Sequence, residues 1–237
     1  MNVLFMSSDL SNLLGSLQHG LIVSCQAPID SPLHDSAIIA AMAQVAINRG
    51  AVGVRIDTPA HVQAVQQRLS SPVIGLWKQQ IPGFSVYITP QFYHAAAIAE
   101  AGADIIAIDA TLRERPGGET VAVLIERIHR ELAKPVMADV DTLEAAIAAE
   151  ASGADLIGTT LAGHTEITQG QLLPDFELLS QMVQRLSIPI ICSGGISSPK
   201  LAKHGLDLGA HAVVVGTAIT GIDLQVKTYC ATLAKTQ

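Results

Sequence analysis

The sequence predicts a (β/α)8 TIM barrel of the phosphate-binding, ribulose-phosphate-binding-like type. Three observations predict it. Eight short apolar segments recur along the chain, most of them separated by stretches of helical period. In five of those segments the polar residues fall on one face and at one end. Glycine-bearing turns follow the seventh and eighth segments, where barrels of this kind often hold phosphate.

The apolar segments are GLIVSCQ from Gly20, AVGVRID from Ala51, PVIGLWK from Pro72, DIIAIDAT from Asp104, PVMADV from Pro135, DLIGTT from Asp155, PIICSGGI from Pro189 and AHAVVVGTAI from Ala210. Continuous apolar runs of this length read as parallel strands covered on both faces. The clearest helical segments are DSAIIAAMAQVAINRG, QFYHAAAIAEAG, ETVAVLIERIHRELA, TLEAAIAAEASG and PDFELLSQMVQRLS. Asp35, Thr142 and Asp175 are N-cap candidates, and Gly50, Gly102, Gly153 and Gly209 mark helix ends. An open doubly wound sheet would more typically carry a G-x-G-x-x-G turn after its first strand, and none occurs. Residues 1–237 are expected to form one domain, with 1–19 as an N-terminal helix or cap.

Composition narrows the function classes. Hydrophobic residues make up 49% and charged residues 15%, ample for a core. The formal net charge is −7 without a basic run, which argues against a nucleic-acid partner. A small anionic substrate stays possible, because a local cluster of donors can outweigh global charge. Cys25, Cys192 and Cys230 are too few and too widely spaced for a disulfide framework or a zinc site. The N-terminus lacks a basic n-region and no apolar run would span a bilayer, so the expectation is a cytoplasmic protein without a membrane partner.

Side chains alternate along a strand, so one face can be read directly. Gln26 falls with Ser24 and Ile22, Arg55 with Gly53 and Asp57, and Lys78 with Leu76 and Ile74. Asp109 falls with Ala107 and Ile105, and Asp139 with Met137. The alternate set, including Val23, Val54, Val73, Ile106, Ile108, Val136 and Ala138, is apolar enough to pack on helices. For any one polar residue alone, a paired core position is the simpler reading, and Asp57 is read that way. Five converging at the C-terminal mouth point to a site, since burying them unpaired is costly.

Gly194-Gly195 and Gly216-Thr217 would let backbone N–H groups approach a phosphate, with a helix start near Ser198-Pro199. The longest irregular stretch near a strand end, Lys78 to Pro90, is expected to form an active-site loop. The eight histidines are scattered without metal spacing and most are expected at the surface; His164 alone is placed at the mouth. A partly desolvated lysine without a metal suits proton abstraction beside a carbonyl, or Schiff-base aldol chemistry.

LIVSCQ with the S-P-L-H downstream, AVGVRI, PVIGLWK, YITP, ADIIAIDAT, VMADV, GTTLAGHT, PDFELL and VGTAIT occur in an order that resembles the N-acetylmannosamine-6-phosphate 2-epimerase family, from about Gly20 to Thr220. The resemblance implies inversion at C2 of an N-acyl hexosamine 6-phosphate in amino-sugar and sialic acid catabolism, without a cofactor. It implies that Lys78 is the base and Asp139 the carboxylate that orients lysine and sugar. It implies substrate contacts at Gln26 and Arg55, to which we add Asp109, Thr160, His164 and Ser193 as candidate contacts at the mouth. Gly194, Gly195, Gly216 and Thr217 are the matching phosphate loops. The chain departs from the family at two places: Ser193-Gly194-Gly195 stands where Glu-Gly-Arg is usual, and Gly221 where an arginine follows Ala-Ile-Thr. Another phosphosugar isomerase or synthase, or a barrel that binds a phosphosugar without turnover, is the alternative. A homodimer is the expected assembly, given apolar outer helices.

Overall fold

The structure is a computed structural model that describes residues 3–234, with side chains from residue 8 onward. The ends of the expected 1–237 domain, residues 1–2 and 235–237, lie outside the described residues, and with them the start of the 1–19 cap.

Eight strands form a closed parallel barrel in sequence order. They are β1 (Leu21–Cys25), β2 (Gly53–Asp57), β3 (Val73–Leu76), β4 (Ile105–Asp109), β5 (Val136–Asp139), β6 (Leu156–Gly158), β7 (Ile190–Ser193) and β8 (Ala212–Val215). Each falls within one of the eight apolar segments. The last strand returns to the first, with Ile22 opposite Val214.

The helices are α1 (Val3–Leu17), α2 (Ser36–Asn48), α3 (Pro59–Gln66), α4 (Phe92–Glu100), α5 (Val121–Arg127), α6 (Leu143–Ala151), α7 (Phe176–Arg185), α8 (Pro199–Asp207), α9 (Thr217–Thr220) and α10 (Ile222–Ala234). Asp35 caps α2, accepting from Ala37 N and Ile38 N at 2.8 and 3.0 Å. Thr142 and Asp175 cap α6 and α7. Ser198 caps α8, the helix expected near Ser198-Pro199. The segment from Glu119 departs from the single helix that its periodicity predicts. α5 ends at Arg127 and a wider π turn, Ile128–Leu132, closes on Ala133 at φ 52°. Pro135 follows and cannot continue a helix, so the chain must turn before β5.

The core has two layers. Inside the barrel lie Ile22, Ile74, Leu76, Ile105, Ala107, Met137, Leu156, Ile191, Ala212 and Val214. Outside, Val23, Val54, Val73, Ile106, Ile108, Val136 and Ala138 meet the helices. This is the division that strand alternation predicts. Leu17 of α1 is fully buried and joins the inner layer, with Leu13 and Leu14 packed beside it. α1 is tied to the foot of β8, where His211 Nε2 meets Leu14 O at 2.8 Å and His19 N donates to His211 O at 2.6 Å. Cys25 and Cys192 belong to the outer layer, and burial pushes both thiols up to about 12.

Two histidines correct the sequence expectation. His61 and His94 are buried rather than at the surface. His61 packs edge-on against His34, and His94 against Trp77 and Tyr93. Both face inward from helix starts, where helical period places a core residue whatever its polarity.

Two outcomes follow from this packing. Leu17→Ala is expected to lower the unfolding free energy by about 2–5 kcal/mol, read by chemical denaturation. Burial holds the pKa of His61 and His94 below the ordinary histidine range, so the unfolded chain binds protons that the folded chain refuses. Stability from these groups is therefore full above about pH 6.5 and declines as pH falls below it. The double variant His61→Gln, His94→Phe is expected to flatten that decline in denaturation midpoints across the acid range.

Candidate active site

Arg55 and Asp139 meet inside the barrel, from β2 and β5 on far sides of the ring. Arg55 Nη2 donates to Asp139 Oδ2. Thr160 Oγ1 donates to Asp139 Oδ1 at 2.5 Å and accepts from Arg55 Nη1 at 3.3 Å. Asp139 is fully buried; that burial pushes its carboxyl up, against the pull of Arg55 and Thr160. Gly158 makes the arrangement possible. A Cβ there would lie 2.5 Å from Met137 Cε and 3.0 Å from both Asp139 Oδ1 and Thr160 Oγ1.

Lys78 stands at the mouth. Its Nζ donates to Gln26 Oε1 at 2.5 Å, and Gln26 Nε2 donates to Ser24 Oγ at 2.9 Å. Asp57, read from sequence as a paired residue, accepts from Lys78 N at 2.9 Å and holds the backbone at that point. Lys78 is exposed at the mouth, and the protein around its ammonium still displaces some of its water. That desolvation lowers the pKa below the ordinary lysine range, aided by Arg55 and opposed by Asp57 and Asp139.

The stretch after Lys78 folds back on itself. Lys78 pairs with Ile88 in an antiparallel bridge, flanked by Gln79 N to Tyr87 O and Thr89 N to Trp77 O, each at 2.9 Å. Ile88 enters the inner layer, and Tyr87 packs beside it at the mouth. Asp109 anchors this loop and the next. Its carboxylate accepts from Tyr87 N at 3.3 Å, Thr111 N at 3.2 Å, Thr111 Oγ1 at 2.7 Å and Arg113 Nη2 at 2.8 Å. Asp109, a candidate substrate contact from its strand face, thus holds two loops, because alternation locates a side chain but not its partners.

Ser193 ends β7 on the inner face and is buried. Its backbone N donates to Thr159 Oγ1 at 2.9 Å, and that hydroxyl donates to Ser193 O at 2.7 Å. Gly194 and Gly195 follow with φ of 96° and 70°. At Gly195 a Cβ would lie 2.3 Å from Leu173 Cβ, so glycine here admits the long loop between β6 and α7. Gly216 and Thr217 open the short α9 beside Ser24. His164 is exposed on the β6–α7 loop, and among the described residues no hydrogen bond ties its ring to the others. Apart from the mouth, a cavity of about 240 Å³ lies between α6 and α7, lined by Asp141, Gln171, Asp175 and Glu177 among others.

The structure therefore forms two hydrogen-bonded groups, Lys78 with Gln26 and Arg55 with Asp139 and Thr160, and the charges of Arg55 and Asp139 act on Lys78; Asp109 holds the neighbouring loop and His164 is apart. Tyr87 and Gly158 are additions that sequence reading missed. The signal for Gly158 was present: strand alternation puts it inward, level with Asp139. Tyr87 lies in a loop without periodicity, where nothing in the sequence tells which way a ring points.

Comparison with known proteins adds the following. The family described as "Putative N-acetylmannosamine-6-phosphate epimerase" matches residues 39–235. A Synechococcus elongatus protein described as "Putative N-acetylmannosamine-6-phosphate 2-epimerase" is 60% identical over 227 residues, covering 95% of this chain and 98% of its own. A protein of the same description from Thermosynechococcus vestitus is 61% identical over 222 residues, covering 94% and 96%. Among solved structures, the N-acetylmannosamine-6-phosphate 2-epimerase from Clostridium perfringens superposes with a TM-score of 0.89 at 38% identity, over 92% of this chain and 95% of that one.

The buried pair yields a stability test. Arg55→Met strands Asp139 and is expected to cost about 3–5 kcal/mol, with much of it recovered in Arg55→Met, Asp139→Leu, both read by denaturant unfolding.

Proposed function

This chain belongs to the N-acetylmannosamine-6-phosphate epimerase family, and from that premise we propose how it interconverts N-acetylmannosamine 6-phosphate and N-acetylglucosamine 6-phosphate, an isomerase reaction at C2. In the open-chain sugar, C2 lies beside the C1 aldehyde, so its proton is acidic enough for a positioned amine to remove. Lys78 is that amine. The observation that carries the reading is the placement of its Nζ at the mouth, bonded to Gln26 Oε1, under the charges of Arg55 and Asp139 and with desolvation favouring the neutral, basic form. Asp139, fixed by Arg55 and Thr160, supplies the field in which lysine and sugar are oriented.

We assign the sugar contacts to Gln26, Arg55 and Thr160, with Ser193 and the exposed His164 as further contacts. Loops 193–199 and 216–222 contain neither lysine nor arginine. The 6-phosphate is therefore held by backbone N–H groups at Gly194, Gly195 and Gly216 and by the Thr217 hydroxyl. Ser193 offers no carboxylate, so both proton transfers at C2 fall to Lys78, with Asp139 or the substrate's own groups assisting. No cofactor is needed for this chemistry. The reaction is placed in the cytoplasm, where sugar phosphates are retained; among the described residues no helix is long and apolar enough to cross a membrane. Ile222, Leu224, Val226, Tyr229 and Leu233 of α10 are exposed, a surface that a homodimer would cover.

In deuterated solvent the protein is expected to exchange the C2 proton of N-acetylmannosamine 6-phosphate, followed by proton NMR. Lys78→Ala is expected to abolish that exchange. Intact wild-type protein that leaves C2 protonated would sink the reading, and borohydride trapping of a lysine adduct would move it to aldol-type chemistry.

A further inference from the structure

Removal of the C2 proton leaves negative charge on the C1 oxygen, and a donor positioned for that oxygen is worth more than one that must reorganise. The two polar groups nearest Lys78 in the hydrogen-bond network and in charge are committed elsewhere. Gln26 spans Lys78 and Ser24, while Arg55 is turned onto Asp139 and Thr160.

Tyr87 is not committed. Its backbone is pinned on both sides, with its carbonyl accepting from Gln79 N and its N–H donating to Asp109 Oδ2. Its ring packs on the inner layer of the barrel. Among the described residues its hydroxyl has no hydrogen-bond partner. Tyr87 and Lys78 belong to one hairpin at the mouth: Lys78 bridges Ile88, and Tyr87 precedes Ile88 and pairs with Gln79. Burial and the two carboxylates, Asp139 and Asp109, push the phenol above the ordinary tyrosine range, which keeps it a donor at neutral pH.

We propose that Tyr87 is a catalytic residue whose hydroxyl hydrogen-bonds the C1 oxygen of the open-chain sugar phosphate while Lys78 removes the C2 proton. The C2–H electron pair becomes the C1–C2 double bond of an enolate that keeps the acetamido group on C2, the carbonyl π pair moves onto the C1 oxygen, and the proton rests on Lys78. Its return to C2, on either face, regenerates the aldehyde and breaks the contact with Tyr87 back to an ordinary one. This rests on the epimerase reading above.

The test is Tyr87→Phe, which keeps the ring in its packing, assayed for C2 exchange, kcat and KM with N-acetylmannosamine 6-phosphate and for thermal unfolding. A fall of about 100-fold in exchange and kcat is expected, with KM and unfolding temperature close to wild type. Wild-type rates in the variant overturn the proposal. So does a loss confined to KM or accompanied by lowered unfolding temperature, which would mark Tyr87 as structural. A wild-type protein without exchange removes the epimerase reading first, and this proposal with it.

Discussion

A guanidinium and a carboxylate buried together inside the barrel constrain everything around them. Arg55 and Asp139 reach each other from β2 and β5 and are almost wholly shut off from water. Such a pair adds little net stability, because desolvation offsets attraction, but neither partner tolerates loss of the other. The lumen is therefore shaped around it. Gly158 gives up its side chain, Thr160 turns its hydroxyl to the free carboxylate oxygen, and the apolar layers stop beneath. A fixed charge pair in a dry floor then sets the field for whatever stands above.

Lys78 stands above it. Opposing effects act on its ammonium: water is displaced and Arg55 repels, while Asp57 and Asp139 attract. Desolvation prevails, and a lysine with a lowered pKa is the kind of group that can take a proton near neutral pH. The loop that begins at Lys78 doubles back through Tyr87 and is clamped by Asp109 and Thr89, so base and mouth are built by one hairpin. The mouth is thus firmly held on the β3–β5 side. The glycine loops after β7 and β8 offer backbone N–H groups and hydroxyls without a cationic side chain, which suits a phosphate held by shape and neutral donors.

The barrel was legible because buried parallel strands are apolar throughout and their intervening helices carry caps such as Asp35 and Thr142. Gln26, Arg55, Lys78 and Asp139 were legible for a related reason: alternation fixes the face of each, and polar groups on an inward face are costly unless they act together. What alternation omits is pairing. It placed Asp109 inward but could not reveal four donors closing on its carboxylate, and it carried no information about Tyr87 on an aperiodic loop. His61 and His94 are the buried exceptions among histidines expected mostly at the surface, because helical position decides burial whatever the residue type. At Ser193 the resemblance located a difference, whose consequence depends on which groups face C2.

If Lys78 is the base, its ammonium must lose its proton more readily than an ordinary lysine. Carbon-13 NMR of lysine Cε across a pH titration, with the Lys78 resonance assigned through Lys78→Arg, measures this directly. The expected midpoint lies below the ordinary lysine value of about 10.4. A Lys78 midpoint at or above that value would rule the role out.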